Sequence, residues 1–272
     1  MGILNVTPDS FSDGGLTIDA DKAVAAGMAM VNGGAAIVDV GGESTRPYAT
    51  AVDADTELAR VIPVVSALAA EGVVVSIDTS KPVVAEAAVA AGARIVNDVT
   101  GLANPDMRSI CAETAVGVVI MHMQGNPQTM QDDPAYDDVV VEVGKYLASQ
   151  AVLAVEAGVR LESVAIDPGI GFGKSLHHNL ELMRHLGALT HFGYPVLVGP
   201  SRKGFLGALL EPTRGQTSAL DRDGATAGAI AAAVINGAHI IRTHNVALGV
   251  DVALVAKAMV PRRHDEQEIN RT

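Results

Sequence analysis

The chain has few of the features that would tie it to a membrane, an oxidising compartment or a stacked aromatic core. Its 272 residues include one cysteine and no tryptophan, and aromatic residues make up 3%. The lone Cys111 excludes an intramolecular disulfide, and we expect it to be a buried small hydrophobe in a reducing compartment. No apolar run approaches the ~18 residues that a membrane span needs, and there is no signal-peptide pattern. We therefore expect a cytoplasmic protein that does not bind membranes.

Positive charge is also scarce. Nineteen Lys and Arg residues stand against 31 Asp and Glu, for a formal net charge of −12. Binding to a phosphate backbone needs a basic face, and the sequence has no long Lys/Arg run, so we expect no nucleic-acid partner. An anionic small molecule must then be held by a local group of cations.

What is present is a repeated design: a short apolar run that ends in residues able to bind charge. These runs alternate with segments of helical period, which predicts an α/β fold, specifically a (β/α)8 TIM barrel whose strands deliver their polar ends to one site. The runs are 2–9, 35–45, 76–79, 93–99, 116–124, 163–169, 195–203 and 240–244. The clearest helical segments are 19–34, 56–72, 81–92 and 224–238, and C-cap glycines are expected at Gly33, Gly72, Gly92, Gly158 and Gly237.

No linker or shift of composition divides the chain, so we predict one domain over 1–260 and a frayed, charged tail over 261–272. Two of the loops that follow strands, 7–18 and 42–55, are long and rich in Gly, Pro, Ser, Thr and Asp. Long loops on the catalytic face of a barrel are usually lids or substrate clamps.

Two carboxylates and an amide end three of the apolar runs: Asp78, Asn97 and Asp167. In a barrel they converge on one cavity, where carboxylates accept from N–H groups and an amide both donates and accepts. This set fits the edge of an amino-pyrimidine ring. The alternative is local, with Asp78 capping the helix near Lys81 and Asp167 forming only a turn with the next residue.

Cationic and polar groups end the last two runs. Ser201, Arg202 and Lys203 stand at a strand-to-helix junction, which favours an anion or carbonyl site, although a solvated turn is the alternative. Arg242 and His244 lie two residues apart and so share one side of the last strand. With Asn5 from the first strand, they could bind phosphate oxygens, and Asn5 could also ligate Mg²⁺; a core histidine is the alternative for His244.

Two other patterns invite a functional interpretation that we reject. Residues 168–175 nearly spell a phosphate-binding P-loop, but Pro168 replaces the first glycine and has no N–H to donate. We expect instead a mobile glycine loop that brings Phe172 over a flat ligand. A set of four histidines lacks the spacing of a metal site and is expected on a solvated helix surface. They are His177, His178, His185 and His191.

Taken together, these motifs resemble the dihydropteroate synthase family, the folate-pathway enzymes inhibited by sulfonamides. The matching segments stand in the family's order from Gly2 to Val246. They are GILNVTPDSFSDGG, IVDVGGESTRP, SIDTSKP, VNDVTG, MHMQGNP, AIDPGIGFGK, PVLVGPSRKGFLG and HIIRTHNV.

The resemblance implies condensation of a pterin methyl-pyrophosphate with p-aminobenzoate to give 7,8-dihydropteroate and pyrophosphate. It also implies Mg²⁺ as cofactor and a homodimer. Carried over by position, the pterin site is Asp78, Asn97, Met121, Asp167, Phe172, Gly199 and Lys203. The p-aminobenzoate site is Phe11, Thr45, Pro47 and Ser201, and the pyrophosphate site is Asn5, Arg46, Arg242 and His244, with Asn5 on the metal. The catalytic residues are Asp13, Arg46 and Lys203.

The family's mechanism is dissociative, so pyrophosphate leaves first and the amine traps a pterin carbocation. Loop closure would bring Asp13 to the reacting centre and exclude water. One departure is Gly204, where many relatives have Ser, so a side-chain contact to the p-aminobenzoate carboxylate is missing there.

Two alternative functions must be weighed against the synthase. A pterin-binding methyltransferase domain would share the barrel and the pterin carboxylates, but it has no need of the cationic group formed by Arg46, Arg242 and His244. A non-catalytic homologue should show eroded loops, whereas Asp13, Arg46 and Lys203 are all present.

Overall fold

Strands alternate with one or two helices along the described part of the chain. The computed structural model describes residues 1–7, 16–45 and 49–260, with side chains from residue 20 onward in the first helix. The strands are β1 Gly2–Asn5, β2 Val38–Gly41, β3 Val75–Asp78, β4 Ile95–Asp98, β5 Gly117–Met121, β6 Val164–Asp167, β7 Leu197–Val198 and β8 Ile240–Ile241. The helices are α1 Leu16–Asn32, α2 Ala54–Ala70, α3 Pro82–Ala90, α4 Pro105–Thr114, α5 Val139–Glu156, α6 Leu176–Arg184, α7 Leu186–Thr190, α8 Gly204–Arg214, α9 Asp223–Ile235 and α10 Val246–Met259.

The eight strands form a parallel barrel. Strands β1 to β6 pair in sequence order, and β7 pairs with β8. Parallel bridges join Ile166 of β6 to Val196, just before β7, and Gly2 of β1 to Thr243, just after β8. The backbone bond from Ile3 N to Thr243 O, 3.0 Å long, belongs to the second of these seams. The predicted (β/α)8 architecture is confirmed.

Local sequence explains where the helices begin. The side chain of Asp53 accepts from Thr56 N at the start of α2, and that of Asp138 accepts from Val140 N and Val141 N at the start of α5. These short polar side chains satisfy N–H groups that have no partner inside a helix. The helices then pack fully buried aliphatic residues onto the barrel, for example Val61 and Leu68 of α2.

Glycines reverse the chain after several helices. Four of the predicted C-cap glycines have positive φ, from +77° to +112°, as the left-handed conformation requires: Gly72, Gly92, Gly158 and Gly237. The prediction for Gly33 was wrong by one residue. Gly34 has φ +96°, because α1 ends at Asn32 and the reversal occurs two residues later.

Two predictions from composition concern the interior and the membrane. Cys111 of α4 is fully buried, as expected for a small hydrophobe. Within 1–7, 16–45 and 49–260, none of the helices combines the length and the apolar character needed to cross a membrane.

Candidate active site

The carboxyl ends of the strands surround a small cavity. Its wall combines acids, cations and apolar side chains, which is the composition typical of a site for a flat polar ligand. The lining residues are Asp78, Asn97, Val99, Met121, Asp167, Ile170, Phe172, Gly199, Lys203 and Arg242. A larger depression lies at the opposite end of the barrel beside Arg94 and Arg160, but its lining has none of these carboxylates.

One cation links two carboxylates from neighbouring strands. Arg242, which follows β8, donates from Nε to Asp39 Oδ2 at 2.6 Å and from Nη2 to Asp78 Oδ2 at 2.7 Å. Asn97 Nδ2 also donates to Asp39 Oδ2, at 3.0 Å. We call these four residues the Arg242 cluster. Sequence reasoning placed Arg242 with the pyrophosphate residues, and the structure brings its guanidinium among the predicted pterin residues as well.

Burial raises the pKa of both pocket carboxylates well above the usual value for aspartate. Desolvation raises the pKa of Asp78 to about 7 against the opposing effect of Arg242, and the nearby Asp39 raises it further. Desolvation likewise raises the pKa of Asp167 to about 6, although Gly169 N donates to Asp167 Oδ1 at 2.7 Å. Such groups are easily ionised by a ligand that brings N–H donors or positive charge.

The sequence left open that Asp78 only caps a helix and that Asp167 only forms a turn, and the structure answers these two questions differently. Asp78 does not cap α3, whose N-cap is Lys81; the hydroxyl that accepts from Lys81 N belongs to Thr79. Asp167 does shape the turn that follows it through Gly169 N, and it also lines the cavity. The turn and the pocket are therefore two roles of one side chain.

A glycine-rich loop, residues 169–174, forms one wall. Gly169 has φ +66°, and a Cβ there would lie 1.9 Å from His122 O, so only glycine fits this approach. Phe172 is 8% exposed, and Lys203 Nζ stands 3.7 Å from the centre of its ring, a cation–π distance. Phe172 therefore faces the cavity.

The expectation that this loop is mobile needs correction, because several side chains tether its backbone. Gln131 Nε2 donates to Gly171 O at 2.9 Å, and Tyr136 Oη donates to Gly173 O at 2.8 Å. From inside, Lys174 Nζ donates to Phe172 O at 2.9 Å. The wall is built in advance of any ligand.

Lys174 is a buried cation that sequence reasoning missed. Its Nζ lies 3.0 Å from His122 Nδ1. Desolvation lowers the pKa of Lys174 to about 7, and desolvation together with the lysine lowers that of His122 to about 3. A P-loop lysine reaches out to phosphate, whereas this one is 2% exposed and turns inward, which agrees with the rejection of the P-loop.

Ser201 and His244 form a second polar group on the neighbouring strand ends. Ser201 Oγ lies 2.9 Å from His244 Nδ1 and accepts from His244 N at 3.2 Å. Ser201 was predicted to border p-aminobenzoate, and the structure places it directly beside a predicted pyrophosphate residue. Arg202 turns away, with Nε and Nη2 donating to Asp223 at 2.8 and 3.0 Å. This explains why two cations can share one helix start.

The remaining predicted residues lie around the rim or outside the described residues. Asn5 is partly exposed at the end of β1, in register with Gly41 of β2, and Thr45 is partly exposed four residues beyond β2. Met121 and Gly199 line the cavity. Phe11, Asp13, Arg46 and Pro47, and the tail 261–272, lie outside the described residues.

Comparison with known proteins now assigns the family. A family model described as pterin binding enzyme matches residues 1–244. The dihydropteroate synthase of Escherichia coli (strain K12) is 47% identical over 268 residues, covering 98% of this chain and 93% of the relative. The chain belongs to the dihydropteroate synthase family of pterin-binding enzymes.

Solved structures of family members agree. That of Xanthomonas albilineans dihydropteroate synthase in complex with 7,8-dihydropteroate has a TM-score of 0.85 and 42% identity, covering 96% of this chain and 94% of that one. A Yersinia pestis dihydropteroate synthase solved as a sulfonamide drug complex has a TM-score of 0.88 and 42% identity, covering 95% and 92%. The fold, the enzyme class and the reaction expected from the sequence are confirmed. The roles of individual site residues remain predictions.

A second ionic group lies just outside the dihydropteroate synthase pocket and was not predicted. Lys81 Nζ is 2.6 Å from both Glu43 Oε2 and Glu57 Oε2, and Glu57 is fully buried. Glu43 Oε1 accepts from Val52 N at 3.1 Å, so this carboxylate joins the two ends of the loop after β2. We call Lys81, Glu43 and Glu57 the Lys81 cluster.

Proposed function

We propose that this chain condenses 6-hydroxymethyl-7,8-dihydropterin pyrophosphate with p-aminobenzoate through the residues gathered around the cavity. The observation that carries the assignment of roles is the Arg242 cluster. It puts hydrogen-bond acceptors for a pterin and a cation for its leaving group at the same strand ends. Since a methyltransferase needs no anion site here, this arrangement favours the condensation.

The pterin-binding role falls to Asp78, Asn97, Asp167 and Lys203, with Met121, Phe172 and Gly199 as wall. Asp78 and Asp167 accept from the N–H groups of the ring, and Phe172 gives it a flat apolar face. As positive charge develops on the pterin methylene carbon, ionised carboxylates beside the ring stabilise it. Lys203, already over Phe172, closes the same side and is positioned to bind a ring acceptor.

The leaving-group role falls to Arg242, His244, Asn5 and Arg46. Arg242 and His244 follow β8, the neighbour of the β1 strand that ends in Asn5, so three of these residues meet on adjacent strands. Among the described residues no cluster of three His, Cys, Asp or Glu side chains could hold a metal alone. A single amide oxygen at Asn5 suits Mg²⁺ that keeps waters and shares the substrate's phosphates, and such an ion would neutralise charge on the departing pyrophosphate.

The second substrate adds last. Phe11, Thr45, Pro47 and Ser201 border p-aminobenzoate in this proposal, and the free N–H groups at the start of α8 receive its carboxylate in place of a side chain at Gly204. Once pyrophosphate has left, the amine attacks the methylene cation and loses a proton, with Asp13 near the reacting centre. Closure over the site keeps water from competing for the cation.

We also infer the setting in which the reaction occurs. A homodimer and a cytoplasmic location are expected from the family resemblance and from the single buried cysteine. Size-exclusion chromatography with light scattering tests the first point.

The test of function is a coupled assay of pyrophosphate release with both substrates and Mg²⁺, with 7,8-dihydropteroate identified by mass. Release that depends on p-aminobenzoate and falls when Mg²⁺ is chelated supports the proposal. A folded protein that releases no pyrophosphate above background contradicts it. Release without p-aminobenzoate would mean that water traps the cation and that the second site is assigned wrongly.

A further inference from the structure

Asp39 lies behind the pterin pocket and does not line it. The residue sits in the middle of β2 and is fully buried. One of its oxygens, Oδ2, accepts both from Arg242 Nε at 2.6 Å and from Asn97 Nδ2 at 3.0 Å. Burying a carboxylate is costly unless it is paired, and the side chains that pair with Asp39 belong to two residues of the cavity lining, Arg242 and Asn97.

The chemistry of that contact decides how Asn97 faces the ligand. An amide can present either its oxygen or its NH₂ group, but an ion-paired carboxylate only accepts hydrogen bonds. Asn97 must therefore turn its NH₂ group to Asp39. Because the two ends of the amide point apart, the carbonyl oxygen is left for the cavity that Asn97 lines.

The same carboxylate sets the position of Arg242. With Nε held by Asp39, the planar guanidinium places Nη2 on Asp78 Oδ2 at 2.7 Å. Asp78 Oδ1 then has no hydrogen-bond partner among the described residues, although it is buried. In its ionised form the Asp78 carboxylate therefore keeps an acceptor in reserve for a ligand.

We propose that Asp39 is a positioning residue that makes this part of the pterin pocket accept hydrogen bonds only, and so selects a ligand edge made of N–H donors. The inference rests on the proposed function and adds a determinant of specificity to it. Asp39 acts through Asn97 and Arg242 and touches no substrate. A ligand that offers a carbonyl where the pterin has its amino group meets acceptors on both sides and is rejected.

Two substitutions separate the acceptor from the charge. Asp39→Asn can place its amide oxygen where Oδ2 now lies and still receive both Arg242 and Asn97. Asp39→Leu has a similar size and no acceptor, so the amide of Asn97 becomes free to turn. Since an unmatched buried polar contact costs one to two powers of ten in binding, we expect the KM for the pterin pyrophosphate to rise ~30-fold in Asp39→Leu and less than ~5-fold in Asp39→Asn.

The matched control is Asp98→Asn. Asp98 is the neighbouring fully buried carboxylate on β4, but it accepts from Thr100 N at 2.8 Å and Leu102 N at 3.2 Å, and it does not line the cavity. We expect this variant to melt earlier while its KM for the pterin pyrophosphate stays within about twofold of wild type. For all three variants the KM for p-aminobenzoate should also stay within about twofold.

The deciding measurement is selectivity. Calorimetry compares 6-hydroxymethylpterin with 6-hydroxymethyl-lumazine, in which a carbonyl replaces the exocyclic amino group. We expect the preference of the wild type for the pterin to fall ~10-fold in Asp39→Leu and to survive in Asp39→Asn. An unchanged preference in a folded Asp39→Leu overturns the inference, and so does its loss in Asp39→Asn, which is the arm that applies if the leucine variant does not fold. A wild type that releases pyrophosphate but shows no preference leaves the proposed function standing and refutes the inference alone.

Discussion

The Arg242 cluster and the Lys81 cluster share a charge composition but differ in what they can bind. Each sets one cation between two acids at 2.6 to 2.7 Å, and their nearest members, Asp78 and Lys81, are three residues apart. In the Lys81 cluster, Glu43 accepts a hydrogen bond from Val52 N and so holds a loop in place. In the Arg242 cluster, Asp78 lines a cavity.

This difference shows that a buried ion pair becomes a binding site through what surrounds it. Glu57 and Asp78 each keep one buried oxygen without a hydrogen-bond partner in the described part of the chain. That of Glu57 lies on α2, away from the pocket lining, whereas Asp78 faces the space that a ligand would fill. Location next to a cavity separates the functional cluster from the structural one.

Removing Arg242 should have the largest effect. Arg242→Met leaves Asp39 and Asp78 buried without their cation, a loss that costs about 3–5 kcal/mol when one partner of a buried pair is deleted. We expect kcat/KM to fall ~10³-fold, with both the pterin and the pyrophosphate steps weakened. Steady-state kinetics checks this, with Arg202→Met as the matched control because Arg202 pairs with Asp223 outside the cavity. Similar losses in both variants would show that the position of Arg242 beside the cavity is not what makes it important.

Asp167→Asn should come next. The amide keeps the shape of the side chain but replaces an acceptor by a donor at the cavity wall, so N–H groups of the pterin meet an N–H group. We expect pterin affinity to fall ~100-fold while the unfolding temperature changes little, since Oδ1 can still accept from Gly169 N. Calorimetric titration measures the affinity. Equal affinity in the wild type and the variant would remove Asp167 from the pocket.

Lys81→Met should affect stability and spare the pterin. It leaves Glu57, fully buried, without its cation, and we expect the free energy of unfolding to drop by about 3 kcal/mol. The KM for the pterin pyrophosphate should stay within about twofold, whereas that for p-aminobenzoate should rise several-fold, because Glu43 no longer holds the loop that carries Thr45. Urea unfolding and kinetics test this, with exposed Lys257→Met as control. A larger rise in the KM for the pterin pyrophosphate would show that the Lys81 cluster also supports pterin binding, and the proposed difference between the two clusters would be wrong.

The fold could be predicted because the strands are largely apolar runs that end in polar residues and the helices bury apolar faces. Such runs remain visible without any partner, so eight strand ends were found, even β7 and β8, which pair over only two residues each. Their edges were less accurate. The apolar run 35–45 contains β2, but pairing is confined to Val38–Gly41, because the chain turns after Gly41 toward the loop that Glu43 closes.

The site was predictable where a polar residue ends an apolar run, as at Asp78, Asn97, Asp167 and Lys203. Asp39 also stood in such a run but was not assigned to the site, because its meaning comes from Arg242, 203 residues away in the chain. The buried position of Lys174 could not be predicted for a different reason. Its sequence context suggests an exposed phosphate ligand, and only the folded chain shows that its ammonium group turns toward His122.

The smallest effect we predict is the release of protons when the pterin binds. Asp78 and Asp167 have pKa values raised to about 7 and about 6 by desolvation, above the 3.8 of the unfolded chain. The folded protein therefore holds protons that the unfolded chain has lost, and both groups contribute stability that is fully present below pH 3.8 and lost as pH rises through 6 and 7.

Ligand N–H donors favour the ionised forms, so pterin affinity should rise between about pH 5 and 8. Calorimetry in buffers of different ionisation enthalpy should show about one proton released at pH 6 and almost none at pH 8. Asp98→Asn should release the same number of protons, because Asp98 is buried but does not line the cavity. If proton release depended on Asp98, the protons would not come from Asp78 and Asp167, and the prediction would be wrong.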